Sequence, residues 1–334
     1  MSDKINVLFT MSRPQMQIDY IKEKLGDAFN LIFPEDYSEE SILEHIDQAD
    51  VLLGNYITAP MLDNGNIKLI QVPIVGIEKL DFDLLAKYDI PVCNTHSNAL
   101  AVAEAAVALL LSIAKKIPYH DKLLREGDWN KKAAEDSKDA LSLHNSYVSN
   151  STVGFIGYGH IARNIANLLK GFNCEFMAIV NDKSQRYDEL DFIGDENDLN
   201  YLLSNVDYLV VAAPLTPKTE GMLNKDNLRN MKKTSYIINI ARGRIIDEEG
   251  LYYILSNNLI RGAALDVWYN YPQDMELTIP SNYDFHKLNN VIMTPHRADI
   301  MYDSYPFLDG AIENLKAFKE GKEVKNILDL SKGY

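Results

Sequence analysis

Three small residues, Gly157, Gly159 and Ala162, occur in the stretch TVGFIGYGHIA between an apolar run and a helical pattern. The first glycine permits a tight turn, and the second lets the backbone approach a pyrophosphate. The third position needs a small side chain where a helix packs on a strand. His160 and Ile161 open the predicted helix, whose free N–H groups and positive dipole end favour phosphate. The loop therefore predicts dinucleotide binding.

The next predicted strand should carry the residue that contacts the adenosine ribose. An acid at the end of this strand holds the 2′-OH of NAD, whereas basic and hydroxyl groups tolerate the 2′-phosphate of NADP. Depending on register, that position falls at Val180 or Asn181, and Asp182 follows. Lys183 and Arg186 come next and either meet a phosphate or remain solvated loop residues. NAD and NADP both stay open.

Three further segments each follow a predicted strand, namely 214–219, 239–247 and 294–296. Ligands bind at the carboxyl ends of the strands in doubly wound sheets. These segments are therefore expected beside the dinucleotide.

The elements that must position these residues form two alternating series of strands and helices. Such alternation predicts parallel sheets with helices on both faces, and hence two α/β units. The predicted strands are 5–9, 31–33, 51–53, 67–72, 91–93, 153–156, 175–180, 209–213, 236–240, 263–267 and 291–293. The predicted helices include 15–25, 99–117, 160–169, 247–256 and about 304–318, and 127–150 is predicted to be an extended arm.

Composition limits the possible partners of the chain. The 334 residues include 48 acidic and 33 basic side chains, giving a net charge of −15, which disfavours nucleic acid and anionic membranes. Cys93 and Cys174 lie in apolar runs without a CxxC pair, so we expect reduced thiols and no metal site. No signal peptide or membrane-spanning run is evident, and we expect a cytoplasmic protein.

Together with VGIEKLD at 75–81 and NALAVAE at 98–104, these motifs resemble the D-2-hydroxyacid dehydrogenase family in order and spacing, from about residue 5 to 325. The resemblance implies a Rossmann-type dinucleotide-binding domain at 99–296. It also implies a flavodoxin-like substrate domain made of 1–98 and 297–334, with the active-site cleft between the two domains. A homodimer formed through the 99–117 helix and the arm after it is implied as well.

The resemblance assigns roles to individual residues. Arg242 matches the arginine that holds the substrate carboxylate and carbonyl oxygen, and His296 matches the general acid/base. The backbone at Val75 and Gly76 would hold the carboxylate. Asn98 would reach the substrate or serve only as a helix cap.

Four residues beyond the glycine loop match cofactor-binding positions of the family, and Asp266 among them matches an acid that faces the nicotinamide carboxamide. They are Pro214, Thr219, Ala241 and Asp266.

The stretch LDVWYNYP departs from the family pattern. An acid usually stands just before this proline and pairs with the histidine, which favours the imidazolium. Here the position is Tyr271, which is neutral at pH 7. Arg297, directly after His296, is also unusual, and either binds a second anionic group of the substrate or is simply exposed.

Several interpretations of Tyr271 remain open. In the first, the tyrosine hydroxyl partners His296 and the enzyme still reduces a 2-keto acid, best at lower pH. In the second, Asp274 or Asp299 replaces the missing acid. In the third, no proton transfer is needed, as in formate dehydrogenases of the same superfamily. Otherwise the substrate differs, or the chain is a non-catalytic dinucleotide sensor. The leading hypothesis is an NAD(P)-dependent oxidoreductase acting on a small 2-hydroxy or 2-keto acid.

Overall fold

A computed structural model describes residues 4–77, 79–129, 144–272, 277–302 and 304–330. The chain divides into two compact units. The first combines Met1–Asn98 with Ile300–Tyr334, and the second is Ala99–Asp299. The expected domains ran 1–98 with 297–334 and 99–296, so the second crossing lies three residues later than expected (300 against 297).

The first unit is a five-stranded parallel sheet with the order β2-β1-β3-β4-β5, which is the flavodoxin-like order. Its strands are β1 Ile5–Phe9, β2 Phe29–Ile32, β3 Val51–Leu53, β4 Leu69–Gln71 and β5 Val92–Cys93. Its helices are α1 Gln15–Leu25, α2 Glu39–Leu43, α3 Ala59–Asn64, α4 Phe82–Leu85 and, from the end of the chain, α11 Pro306–Lys319. Helix α11, from the end of the chain, belongs to this first unit.

Both faces of this sheet are covered because successive strand residues point to opposite sides. Val7 and Phe9 pack with α1 and α11 on one face. Leu8 packs on the other face with Ile42 of α2 and Met61 of α3. Helices α1 and α11 share one face of the sheet, and because all the strands run parallel, the loops after them lie at one edge.

The second unit is a seven-stranded parallel sheet with the Rossmann order β12-β11-β10-β9-β6-β7-β8. Its strands are β6 Thr152–Ile156, β7 Glu175–Ile179, β8 Phe192–Gly194, β9 Tyr208–Val211, β10 Tyr236–Asn239, β11 Gly262–Leu265 and β12 Val291–Met293. Its helices are α5 Ala99–Ala114, α6 Ile117–Arg125, α7 His160–Leu169, α8 Leu199–Asn205, α9 Lys225–Leu228 and α10 Glu248–Ser256. The two sheets confirm the predicted fold class.

The long helix expected at 99–117 is shorter than predicted. It ends at Ala114, and Lys116 adopts a left-handed conformation with φ 51° before α6 begins. Pro118 in the first turn of α6 suits a new helix start. The predicted arm lies largely outside the described residues, and 144–150 is described without helix or strand.

Buried residues of α5 and α7 cover one face of the seven-stranded sheet around Phe155 and Ile238. The opposite face is covered by α8 and α10 around Leu202 and Ile254. Strand β8 was not predicted, because its residues Phe192–Gly194 lie between acidic residues rather than in a longer apolar run. Among the described residues, no helix is long and apolar enough to cross a membrane.

Candidate active site

The glycine loop between β6 and α7 has the tight turn that the sequence predicts. Gly157 has φ 82°, and its N–H donates to the carbonyl oxygen of Ile179 over 2.9 Å. A Cβ at this position would lie 2.8 Å from the Cα of Ala213. Both the left-handed backbone and the neighbouring strand end therefore require glycine here.

Gly159 and the start of α7 fit a pyrophosphate. A Cβ at Gly159 would meet no atom within 4 Å, so protein packing does not require glycine there. A ligand that approaches this backbone does require it. His160 and Ile161 begin α7, and the N-cap residue, Gly159, has no side chain that could accept from the first turn, which suits phosphate oxygens at this helix start. Ala162 is fully buried against the sheet.

Two side chains of the glycine loop, His160 and Tyr158, are shaped by their surroundings in different ways. Burial, and then the charge of Arg163, lowers the pKa of His160, which favours a neutral imidazole beside the phosphate-binding turn. The side chain of Tyr158 is buried, and its hydroxyl donates to Glu189 Oε1 over 3.2 Å. The Tyr158 ring also meets the Tyr187 ring edge-on at 5.0 Å. Tyr158 thus ties the loop after β7 to the glycine loop, a role that the sequence pattern did not reveal.

The structure defines the register after β7. The N–H of Val180 still donates to Gly194 of β8, so Asn181 is the first residue beyond the strand pairing. Asp182 Oδ1 accepts hydrogen bonds from the N–H and hydroxyl of Ser184. Lys183 Nζ lies 2.6 Å from Asp195 Oδ2, so carboxylates already neutralise it. These contacts weaken the case for Lys183 as a phosphate ligand and leave NAD and NADP both open.

The loop after β9 is a closed turn. The Thr219 hydroxyl donates to the carbonyl oxygen of Pro214 over 2.7 Å and accepts from the N–H of Thr216 over 2.8 Å. Ala213, just before this turn, is the residue against which Gly157 packs. The two predicted cofactor positions, Pro214 and Thr219, therefore belong to one rigid turn beside the glycine loop.

The loop after β10 holds Arg242 at the carboxyl edge of the sheet. The Asn239 side chain accepts from the N–H of Ala241 over 3.1 Å and donates to the carbonyl oxygen of Arg242 over 3.0 Å. Arg242 Nη1 donates to Ala241 over 2.8 Å. A Cβ at Gly243 would lie 2.4 Å from the carbonyl oxygen of Trp268, so this loop packs directly on the one after β11.

His296 follows β12 and is exposed, with a left-handed backbone of φ 54°. Such a conformation costs a non-glycine residue about 1–2 kcal/mol and must be held by its surroundings. Asp266, which is 2% exposed, supplies this restraint. Its Oδ1 accepts from the Thr294 hydroxyl and the N–H of Arg297 over 2.6 and 3.0 Å. Its Oδ2 accepts from the N–H of Ala298 over 3.1 Å.

Asp266 therefore anchors the loop by hydrogen bonds to residues on both sides of His296. Three of the roughly four acceptor positions of its carboxylate are used within the protein. The contact with the nicotinamide carboxamide that the resemblance implies stays a prediction. The loop-anchoring contacts are the role that the structure assigns to this carboxylate.

The aromatic residues after β11 brace the same loop. Trp268 is buried, and its Nε1 donates to the carbonyl oxygen of Thr294 over 2.9 Å. The Tyr269 hydroxyl donates to Ile246 over 3.0 Å, and burial raises the pKa of this phenol well above its usual range. Both side chains pack inside the second unit, as their apolar rings suggest.

Tyr271 touches His296 through its ring. The two ring centroids are 5.6 Å apart in an edge-to-face arrangement, with planes inclined at 60°. The tyrosine hydroxyl accepts from the N–H of Trp268 over 3.1 Å. The tyrosine ring therefore lies against the imidazole and adds no charge beside it. Asp274 lies outside the described residues, and Asp299 is half-buried at the end of the second unit.

The substrate residues implied by the resemblance lie in the first unit. Val75 and Gly76 follow β4 and are half-buried. Asn94, which is 3% exposed, donates from Nδ2 to the carbonyl oxygen of Val75 over 3.1 Å and so fixes this loop to the end of β5. Asn98 is buried directly before α5.

Comparison with known proteins decides the family. A model of the D-isomer specific 2-hydroxyacid dehydrogenase NAD binding domain matches residues 107–298. The chain belongs to this family. It is 30% identical to a glyoxylate reductase of Pyrococcus horikoshii over 96% of this chain and 94% of the relative. It is 32% identical to a glyoxylate reductase of Thermofilum pendens over 85% and 83%, respectively.

A solved structure supports the same assignment. An acyclic imino acid reductase, determined in complex with NADPH and D-Arg, is 25% identical, with a TM-score of 0.75 over 97% of this chain and all of that one. The family reaction is hydride transfer between a nicotinamide cofactor and a 2-hydroxy or 2-keto acid. The protein is therefore an NAD(P)-dependent oxidoreductase acting on CH–OH donors.

Proposed function

We propose that the protein reduces a small 2-keto acid, with Arg242 and His296 at the reacting group and Tyr271 in place of the usual acid. The observation that carries this proposal is the restraint of His296 by Asp266, because three hydrogen bonds hold the histidine in a costly conformation. Strained residues that their surroundings over-determine occur preferentially at active sites.

Arg242 and His296 follow β10 and β12, which flank β11 in the sheet. Two strand spacings place their backbones about 10 Å apart, within reach of one small substrate. The Arg242 guanidinium binds the carboxylate and polarises the keto group through charge-assisted hydrogen bonds. The N–H groups of Val75 and Gly76 are proposed as further donors to the carboxylate.

When bound, the nicotinamide supplies the hydride for reduction and accepts it in the reverse reaction. His296 donates one proton to the keto oxygen, so hydride and proton together convert the ketone to the alcohol. Tyr271 keeps the imidazole oriented by its ring contact. Because no tyrosine charge stabilises the imidazolium, we expect reduction to be favoured at lower pH.

The test follows oxidation of NADH, and separately of NADPH, at the reduced-nicotinamide absorbance band. The substrates are glyoxylate, pyruvate, hydroxypyruvate, oxaloacetate and phenylpyruvate, each at several pH values. Turnover that disappears in His296→Ala and survives in His286→Ala, a change at a solvent-exposed histidine, supports the proposal. Tight cofactor binding without turnover of any acid favours a dinucleotide sensor. Reduction of NAD⁺ or NADP⁺ by formate, measured separately at the same absorbance band, with no turnover of any keto acid favours the formate-type reaction.

We also propose a homodimer through α5, α6 and the segment that follows. No residue of α6 is buried, and Ile117 and Leu124 are more than half exposed. Trp129 and Tyr147 are exposed to a greater extent. A second copy of this chain is always present wherever the protein is made. Its binding here would cover these apolar side chains. Sedimentation should show a dimer that Leu124→Asp converts to monomer, and an unchanged dimer would refute this interface.

We propose that the protein is located in the cytoplasm. Cys93 is a free, buried thiol, and burial raises its pKa to about 12. Cys174 is also a free thiol. Unpaired thiols are typical of a reducing compartment. Fractionation of cells that produce the protein should recover it with cytosolic enzymes, and recovery in a secreted fraction would contradict this proposal.

A further inference from the structure

Arg13 is a half-buried cation without a counter-ion among the described residues. It lies in the loop between β1 and α1. Its Nη1 donates to Gln17 Oε1 and its Nη2 contacts the Met11 sulfur, both at 3.3 Å, and neither partner carries a charge. The guanidinium also lies over the Phe307 ring at 5.8 Å. Burial alone lowers the pKa of Arg13 to about 10, so the side chain still carries its charge at neutral pH.

Two helix starts lie beside this arginine. Helix α1 begins after Pro14 with no capping side chain and no acid in its first turn. Helix α11 begins at Pro306, next to Phe307. Its N-cap residue, Tyr305, makes no side-chain cap, and Ser97 Oγ accepts from the N–H of Gly310 over 3.0 Å. The one acid in its first turn, Asp309, accepts a hydrogen bond from Tyr20 over 2.5 Å. Helix starts carry partial positive charge, so they add to the charge of Arg13 rather than offsetting it.

A buried hydroxyl without a partner lies on the same edge. Thr10 directly follows β1, is 1% exposed, and its Oγ1 makes no hydrogen bond to any residue that the structure describes. This oxygen faces Gly54 at the end of β3, since a Cβ there would lie 2.1 Å from it. Strand β3 separates β1 from β4, and the loop after β4 carries Val75. The unpaired hydroxyl therefore lies on the side of β1 that faces the predicted carboxylate-binding loop.

We propose that Arg13 forms an anion subsite at the carboxyl edge of the five-stranded sheet, which takes a second anionic group of the substrate. This inference rests on the proposed function, because it presumes that the first carboxylate binds at Val75 and Gly76. Strands β1 and β4 are two spacings apart, or about 10 Å, and the long arginine side chain shortens that span. The substrate class is therefore a 2-keto acid with a second carboxylate or a phosphate.

A carboxylate or phosphate bound to Arg13 would balance the charge of its guanidinium, which the present uncharged contacts do not. A buried cation normally pairs with an anion, and the planar guanidinium suits either group. Arg297, the residue for which the sequence suggested such a role, has an exposed side chain in the second unit. The two arginines therefore make separable predictions about substrate choice.

The test measures dissociation constants by calorimetry with the protein bound to oxidised cofactor, so that a keto acid binds without being reduced. The ligands are 2-ketoglutarate and oxaloacetate, which are dianions, and 2-ketobutyrate and pyruvate, which are monoanions. Arg13→Gln should reduce the preference for dianions by roughly ten- to hundredfold, the loss expected for one charge-assisted hydrogen bond. Arg13→Lys should retain part of it. Lys22→Gln, which removes a cation from the last turn of α1, is the matched control and should change nothing.

Three outcomes overturn the inference. An unchanged preference in Arg13→Gln would remove Arg13 from substrate selection. A preference that depends on Arg297→Ala instead would move the subsite to the second unit. Inorganic phosphate that stabilises only the parent protein against heat, without any change in keto-acid preference, would indicate a site for free anions. Because calorimetry requires no turnover, an inactive protein would refute the proposed function and leave this test intact.

Discussion

Replacement of Asp266 by asparagine tests whether this residue anchors the loop of His296. The amide has one acceptor oxygen, whereas the carboxylate accepts on both atoms. If the oxygen faces Thr294 and Arg297, the amide N–H₂ meets the N–H of Ala298. If the amide is turned around, the N–H of Arg297 loses its acceptor instead. Either orientation leaves one buried backbone N–H without a partner.

The loss of stability follows from these contacts. One charge-assisted hydrogen bond disappears and one buried donor stays unsatisfied, which together cost about 3–5 kcal/mol. The melting temperature of a domain of this size should fall by roughly 10 °C. The loop then relaxes from the left-handed conformation at His296, and a misplaced imidazole should lower kcat about a hundredfold.

The assay combines thermal unfolding with turnover per folded molecule and the dissociation constant of the cofactor. The control is Asp207→Asn at the opposite edge of the sheet, where the carboxylate accepts from Thr152 and Lys232. This control should lose stability and keep its kcat. If Asp266→Asn weakens cofactor binding while stability and kcat stay normal, the residue serves the carboxamide and our reasoning about the anchor is wrong.

Three other changes probe the remaining features of the site and fold. Gly159→Ala should weaken cofactor binding at unchanged stability, because its Cβ enters open space. Gly157→Ala should lower the melting temperature, because its Cβ would lie too close to Ala213 and its φ is 82°. Calorimetry and thermal unfolding separate the two effects, and equal effects on stability would contradict the distinction. Tyr271→Glu should extend keto-acid reduction to higher pH, since a carboxylate stabilises the imidazolium, while Tyr271→Phe should lower kcat only if the hydroxyl contact with Trp268 matters; pH profiles that coincide with the parent would exclude this position from the mechanism. Burial, followed by the hydrogen bond to Asp309, raises the pKa of Tyr20 to about 12 from 10.0. The phenol therefore ionises more easily in the unfolded chain, so its contribution to the free energy of unfolding should be fully present below pH 10 and fall between about pH 10 and 12. In denaturant unfolding, Tyr20→Phe should lose less stability over this range than the parent protein, and an identical slope would refute this assignment.

Sequence periodicity predicted most of the fold because strands and helices are short-range patterns. The bounds of α1, α7 and β12 agree with the structure to the residue. The long helix was predicted three residues too far, since its apolar pattern continues past Ala114 while the backbone reverses at Lys116. That reversal depends on φ and ψ, which a hydrophobic pattern does not encode.

By itself, the sequence determined the dinucleotide loop, the family and the positions of Arg242, His296 and Tyr271. These are motifs of fixed spacing whose residue types carry their chemistry locally. Only the tertiary structure decided how they are held. The hydrogen bonds from the His296 loop to Asp266 join residues about thirty positions apart in the chain, and the contact of Arg13 with Phe307 depends on the packing of α1 against α11. Such contacts form between distant segments, so no local pattern predicts them.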